Sequence, residues 1–309
     1  MHPELAAILK KQRYALVGNH SAVKLCHWLR SSMLYNRQCY KHTFYGIESH
    51  RCLQMTPAVT HCTQKCLFCW RFQGFTETQF EQDDDPGFIL DESLKEQYRL
   101  LTGFKGDDRC SQTKWEEAIH PVHVACSLSG EPTLYPNLGA FFAECHKRGM
   151  TTFLVTNGTC PDVLENLEPL PTQLYVTLAA PTKKIYQKLC VPLIPKAWEK
   201  INETLALLPS LSTRTVIRHT LVEGWNLGWE KEYATLDSKA DPLFIEPKGY
   251  VFVGYSRQRM HSENMPSHDT VKKFGEKLSA LLGYSIEKER KDSRVLLLTR
   301  DATQMKLPC

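Results

Sequence analysis

His61-Cys62-Thr63-Gln64-Lys65-Cys66-Leu67-Phe68-Cys69-Trp70 sets three cysteines on a C-x3-C-x2-C spacing. Sulfurs this close in sequence can converge on one inorganic centre, and soft thiolates select zinc or an iron–sulfur cluster. A closed zinc site wants four protein ligands, and no fourth Cys or His follows Cys69 at finger spacing. A four-iron cube held by three cysteines keeps one iron open to another ligand. Phe68 and Trp70 interleave the thiols, which suits a loop that keeps water from a cluster whose potential depends on exposure. Three unligated core cysteines are the competing reading, since free cysteine is commonly buried. The polar Thr63, Gln64 and Lys65 between them weigh against it.

The spacing resembles the signature of the radical S-adenosylmethionine (SAM) enzymes. That resemblance implies an open iron that binds the amino and carboxylate groups of SAM. One electron then cleaves the sulfonium to a 5′-deoxyadenosyl radical.

At 309 residues the chain has ample core for one large or two small domains, and its 42% hydrophobic and 23% charged content is that of an ordinary globular protein. No apolar run approaches the roughly 18 residues that span a bilayer. The first eighteen residues carry Lys10, Lys11 and Arg13 without a signal-peptide apolar core. The expectation is a soluble, cytoplasmic monomer whose twelve cysteines serve metal ligation more than disulfides. Residues 1–51 hold Lys/Arg at 10, 11, 13, 24, 30, 37, 41 and 51 against Glu4 and Glu48, whereas the rest of the chain is slightly acidic. This asymmetry fits a basic docking face near the N-terminus, or simply solvated helix faces.

Residues 3–32 predict one or two amphipathic helices broken at Gly18-Asn19, from Leu5, Leu9, Leu16, Val23, Leu25 and Leu29 at roughly helical spacing. Cys26, Cys39 and Cys52 then follow at intervals of twelve intervening residues. Such long intervals match no common metal motif, and structural cysteines are the default on spacing alone.

Further motifs narrow the resemblance. Cys39-Tyr40-Lys41, Phe44-Tyr45-Gly46-Ile47, Ser49-His50-Arg51-Cys52, Gln54-Met55-Thr56-Pro57 and Cys66-Leu67-Phe68-Cys69-Trp70-Arg71 resemble the tRNA 4-demethylwyosine synthase family. So do Ser129-Gly130-Glu131-Pro132-Thr133, Thr156-Asn157-Gly158 and Asn264-Met265-Pro266, and the likeness runs from about residue 20 to 300. It implies the archaeal type without a fused flavodoxin-like domain. The reaction implied condenses N1-methylguanosine-37 of tRNA-Phe with pyruvate to a tricyclic imidazopurine. The implied cofactors are SAM and two [4Fe–4S] clusters, one on Cys62, Cys66 and Cys69 and the second on Cys26, Cys39 and Cys52. A ferredoxin- or flavodoxin-type protein supplies the electron. Lys41 matches a lysine proposed to form a Schiff base with pyruvate. A lysine needs desolvation or nearby positive charge to free its amine, and Arg37 and Arg51 are close in sequence. Chelation of pyruvate by the second cluster, with Lys41 only neutralising the anion, stays open as an alternative.

Residues 73–120 read as an acidic, turn-rich insertion that acts as a lid or repels phosphate. It contains Asp83-Asp84-Asp85-Pro86-Gly87 and a helix over 93–101; EF-hand spacing is absent. From residue 121 strands and helices alternate. Strands are expected at 122–128, 152–156, 174–178, 214–220 and 244–248, with helices at 141–148 and 268–282. Two β segments, 284–288 and 295–300, close the chain. Ser129, Gly130 and Glu131 follow the first of these strands, where Gly130 permits close backbone approach and the family's arrangement has Glu131 accept from the SAM ammonium. Asn157 at a strand end is a candidate for polar contact with SAM, or a turn-forming Asn-Gly. Family members commonly have Ser-Leu-Asp-Ala-Pro where this chain has Thr177-Leu178-Ala179-Ala180-Pro181, so Thr177 keeps a hydroxyl but the acid is missing. Arg218 can pair with SAM, a phosphate or a structural carboxylate. Residues 249–259 mix aromatics with cations, which suits RNA as well as a buried strand and basic turn.

The rhythm predicts a partial, open (β/α)6 radical SAM barrel with ligands at the strand C-termini. An N-terminal helical segment (1–56) precedes the barrel (57–283), whose first strand is expected near 57–60, and a C-terminal β extension (284–309) follows. The tRNA-Phe anticodon loop would enter through the open side, between the N-terminal basic segment and 249–259. Two other classes compete. One is a different radical SAM enzyme, an activase or small-molecule mutase; the other is a zinc-stabilised RNA-binding protein.

Overall fold

The computed structural model describes residues 1–307. Among them, one sheet contains β1 (Ala15–Val17), β2 (Ser21–Val23), β3 (Cys52–Thr56), β4 (His123–Cys126), β5 (Thr151–Thr156), β6 (Gln173–Thr177), β7 (Arg214–Leu221), β8 (Phe244–Gly249), β9 (Ser285–Arg290) and β10 (Val295–Thr299). Its spatial order is β1-β2-β3-β4-β5-β6-β7-β8-β10-β9. β3 to β8 run parallel. The outer pairs extend the two ends antiparallel, so β1 and β9 are edges and the sheet stays open. The six-stranded parallel centre is the open barrel expected from the rhythm of strands and helices.

The helices are α1 (Pro3–Lys11), α2 (His27–Tyr35), α3 (Tyr40–Tyr45), α4 (Pro86–Leu101), α5 (Gln112–Ala118), α6 (Leu138–Lys147), α7 (Pro161–Glu165), α8 (Lys183–Leu189), α9 (Ala197–Leu207), α10 (Glu230–Ala240) and α11 (His268–Leu282). The period-2 alternation of each strand sorts side chains onto two faces. Leu53, Met55, Val124, Leu154, Val176, Ile217 and Ile245 pack under the crossover helices with Ile89, Phe141, Ile201 and Phe274. Ala125, Phe153, Tyr175, Val216 and Phe244 point to the inner face, where Tyr40, Phe44 and Tyr45 of α3 meet them. A short N-terminal helix therefore fills the inside of the barrel, and it carries Lys41.

Four local expectations need correction. Residues 15–23 form a hairpin, because Gly18 (φ +53°) and Asn19 turn the chain and alternation outweighs helical spacing. Asp84 fixes that turn, accepting from the Asn19 backbone N–H and side-chain amide, both at 2.7 Å. The first barrel strand is Cys52–Thr56, with 57–60 as loop. The acidic stretch is not simply an insertion: its helix, α4, is the first crossover helix, packed on β1, β2, β3 and α6. It begins at Pro86 because the Asp85 carboxylate accepts from Phe88 N–H (2.9 Å), a carboxylate N-cap with proline in the first turn. The strands from β4 to β10 and helix α11 lie where the sequence put them, to within a few residues at their ends. One sheet runs from the N-terminal segment through the barrel to the C-terminal extension.

Candidate active site

The cysteine loop is tied down by backbone on both sides. Lys65 N–H donates to Val191 O (3.0 Å), Leu67 N–H to Leu189 O (2.9 Å) and Leu193 N–H to Thr63 O (2.8 Å). Cys66 thus faces Cys190 across a short antiparallel pairing. Cys62 N–H donates to Glu77 O (2.8 Å), and Glu131 N–H to His61 O (2.7 Å). Arg259 donates to the carbonyls of Leu67 and Cys69. Part of the basic 249–259 turn is therefore spent on holding this loop.

Burial pushes the Cys62 thiol up to about 12, against the pull of the Arg71 guanidinium. Cys69 is raised by burial, and Cys66 by its hydrogen bond with Cys190 and then by burial. Arg71 is itself buried and donates to Gln64 O (3.3 Å). In the sequence it stands out only as the last residue of the Cys66-Leu67-Phe68-Cys69-Trp70-Arg71 motif. Three soft donors with one buried cation among them fit an anionic thiolate-bound cluster, because the cation offsets charge that the loop would otherwise strand out of water. No cysteine among the described residues is in a disulfide. Nor does any group of three His, Cys, Asp or Glu among the described residues converge tightly enough for a single metal ion. Sulfurs spread around a cube stand farther apart than ligands of one ion.

A cavity of about 360 Å³ opens over this loop at the C-terminal ends of the parallel strands. Cys62, Cys66, Cys69, Ser129, Gly130, Glu131, Asn157, Thr177 and Arg218 all line it. Glu131 is buried and tightly used. Its Oε1 accepts from Thr133 N–H (3.2 Å), Thr133 Oγ1 (2.7 Å) and Thr156 Oγ1 (2.7 Å), and its Oε2 from Asn157 N–H (2.7 Å). Burial raises its pKa and these bonds oppose the rise. The carboxylate thus ties the end of β4 to the end of β5, with Oε2 carrying a single bond.

Asn157 turns its amide to the cysteine loop, donating to Thr63 Oγ1 (2.9 Å), while its Oδ1 accepts from Thr159 N–H (3.0 Å). Thr177 makes no side-chain hydrogen bond among the described residues, so its hydroxyl is free to meet a ligand. Ser129 lends its backbone oxygen to Thr56 Oγ1 (2.6 Å).

Gly130 has φ +75°, and a Cβ there would fall inside the Ala58 carbonyl oxygen. Gly130→Ala should cost at least about 2 kcal/mol from left-handed strain and overpacking. It should also shift the cysteine loop, giving a lower urea midpoint and less bound iron after reconstitution; a variant with native values of both would show that the approach is slack.

Arg218 pairs with the fully buried Glu246 (2.8 Å) and donates to Tyr40 Oη (2.7 Å), and Tyr45 Oη donates to the same carboxylate (2.6 Å). The guanidinium lies 4.4 Å from the Tyr175 ring centre, and Lys41 Nζ lies 4.5 Å from that same ring and 5.0 Å from Phe153. Lys41 does not line the main cavity; it reaches it through Arg218. Burial, and next the Arg218 charge, lower the Lys41 pKa.

Cys26 and Cys39 are the N-caps of α2 and α3, and Cys52 opens β3, so the long sequence intervals close up around α3. Burial raises Cys39 to about 11 and Cys52 to about 12, with Lys41 acting as counter-charge to both. This half-buried set matches the first in donor softness and in having a cation close by.

Lys248, absent from the sequence-level candidates, lines the main cavity with its Nζ 4.9 Å from the Tyr40 ring. It donates to Ser293 O (2.8 Å), and burial, then Arg218, bring its pKa down to about 8.

Three thiols and a Gly-Glu turn around a cavity at the open end of a six-stranded parallel sheet define a radical SAM protein, and residues 57–236 match the radical SAM superfamily. Residues 239–300 match the family described as wyosine base formation. The S-adenosyl-L-methionine-dependent tRNA 4-demethylwyosine synthase of Pyrococcus horikoshii is 52% identical, over 97% of this chain and 90% of that protein. That of Methanocaldococcus jannaschii is 43% identical over 96% of each. A solved structure of TYW1 with a lysine–pyruvate adduct bound superposes with a TM-score of 0.89 at 42% identity, covering 97% of this chain and 96% of the other. The chain belongs to the S-adenosyl-L-methionine-dependent tRNA 4-demethylwyosine synthase family.

Proposed function

We propose that this protein condenses N1-methylguanosine-37 of tRNA-Phe with pyruvate, using SAM and two [4Fe–4S] clusters. Cys62, Cys66 and Cys69 hold the first cluster, and Cys26, Cys39 and Cys52 the second. The observation that carries the reading is the half-buried Lys41, which lies between the Cys26/Cys39/Cys52 set and the Arg218 edge of the cavity. When bound, the first cluster and SAM supply a 5′-deoxyadenosyl radical.

The protein's own share is placement and charge. Ser129, Gly130, Glu131, Asn157 and Thr177 form the SAM-facing wall, with Asn157 acting through the cysteine loop. Lys41 Nζ attacks the keto carbon of pyruvate and water leaves as the imine forms. Such attack needs the free amine, which low hydration and the neighbouring guanidinium favour. The Glu246 carboxylate keeps the Arg218 guanidinium in place, and Lys248 receives the pyruvate carboxylate across the Tyr40 ring.

Lys248→Met should raise the KM for pyruvate roughly tenfold or more, the worth of a hydrogen bond to a charged group. It should leave tRNA-independent SAM cleavage intact; an unchanged KM would remove Lys248 from this role.

The tRNA anticodon loop enters from the open side of the barrel, and an external ferredoxin- or flavodoxin-type protein delivers the electron. The protein acts as a cytoplasmic monomer; no helix among the described residues is long and apolar enough to cross a membrane. The deciding experiment is an anaerobic reaction with N1-methylguanosine-containing tRNA and labelled pyruvate, read by nucleoside mass spectrometry. A labelled tricyclic nucleoside, with about eight irons per chain, is expected. SAM cleavage with no labelled nucleoside would point to another radical SAM activity.

A further inference from the structure

The main cavity shares Trp70 and Val253 with a second, shallower groove of about 470 Å³, lined also by Gln12, Lys24, Tyr255 and Gln258. This is within the roughly 300–1,000 Å³ range of small-ligand clefts. No acidic residue lines it. Lys24 Nζ stands 4.7 Å from the Tyr14 ring and 5.0 Å from Trp70, and no carboxylate pairs with it among the described residues. The same holds for the exposed Lys10, Lys11 and Arg13 at the end of α1. Gln12 Nε2 is buried without a hydrogen-bond partner.

The aromatic wall is rigid. Tyr14 stacks on Trp70 (6.1 Å, 24°), and Trp70 O accepts from Tyr255 N–H (2.9 Å). Fixed rings, unspent amides and an unpaired cation are the elements that take a splayed nucleotide, with its base on a ring and its phosphate on a lysine. A protein electron donor instead docks through a complementary face of up to about 600 Å² per partner, which a narrow concave groove does not offer.

We propose that this groove binds the nucleotide adjacent to the target guanosine, its base against Trp70 and Tyr255 and its phosphate on Lys24. The inference rests on the tRNA-modifying function proposed above. Trp70 belongs to both spaces, so the RNA backbone needs only one nucleotide step to pass from the reacting base to this subsite. The stacking neighbour thereby holds the target base over the cavity, and register along the RNA is set outside the chemical centre.

The test compares wild type with Lys24→Ala, Gln12→Ala and Lys24→Arg. It measures binding of an anticodon stem-loop carrying N1-methylguanosine at several salt concentrations, KM and kcat for tRNA, and SAM cleavage without RNA. Lys24→Ala should weaken stem-loop binding about tenfold and lower the salt slope by about 1, with kcat and RNA-free SAM cleavage unchanged. Lys24→Arg should restore binding, and Gln12→Ala should weaken it less. Wild-type affinity in Lys24→Ala would overturn the subsite, as would a rise in KM for a protein reductant without one for RNA, which would mark a donor-docking surface. If wild type itself makes no tricyclic nucleoside, the functional reading fails first. If wild type makes it and Lys24→Ala is unaltered, only the subsite fails.

Discussion

Lys41→Ala is expected to cleave SAM at near wild-type rate and to yield no detectable tricyclic nucleoside. Lys41 meets two aromatic rings and makes no ion pair among the described residues. A cation without a carboxylate partner is poorly compensated when it leaves water, so the amine form gains weight. The Arg218 charge, which shares the Tyr175 ring with Lys41, pushes in the same direction. Cyanoborohydride with labelled pyruvate should therefore add a fixed mass to the Lys41 peptide of the wild type and none to the variant. Lys41→Arg separates covalent from electrostatic use, because it keeps the charge but cannot form the imine. Product from either variant at a substantial rate would remove the covalent role and leave pyruvate to the second cysteine set.

The barrel was legible because buried parallel strands write themselves as short apolar runs ending in polar punctuation. Residues 152–156 before Asn157-Gly158 and 244–248 before Gly249 are of this kind, and β5 and β8 match them closely. The hairpin at 15–23 was misread because Leu16 and Val23 satisfy helical spacing by coincidence, and the turn that decides the matter is held by Asp84, 65 residues away. The Asp83–Asp85 run reads as part of an acidic, turn-rich insertion for the same reason. Its partners, Asn19, His20 and Asn137, are nowhere near it in sequence.

Among the candidate residues, those at strand ends carry a local signal in the sequence and those that act across the fold do not. Asn157 reads as a candidate for contact with SAM or as a turn-forming residue, and no local pattern shows that its amide meets Thr63, 94 residues earlier. Lys248 reads as one more residue of a core strand after Pro247. Its acceptor is a carbonyl 45 residues on, and the antiparallel pairing of β10 on β8 is what brings residue 293 to Lys248, beside the Tyr40 ring of α3. Arg71 had a local signal that went unused: a cation two residues past the last thiol of a soft-metal loop is a natural counter-charge.

Cys66→Ala should abolish SAM cleavage while leaving the fold and the second cysteine set intact. The loop does not depend on this side chain for its path, because Lys65 and Leu67 hold the backbone to Val191 and Leu189. The thiol itself only donates to Gln64 Oε1 (3.0 Å) and meets Cys190 across the pairing. Reconstituted iron should drop from about eight to about four per chain, with circular dichroism unchanged. Cys190 lines the same cavity and is, among the described residues, the one further thiol there that could substitute, so Cys66→Ala/Cys190→Ala completes the test. Iron kept by the single variant and lost by the double one identifies that replacement. SAM turnover surviving in the double variant would overturn the assignment of this loop as the cluster that opens the reaction.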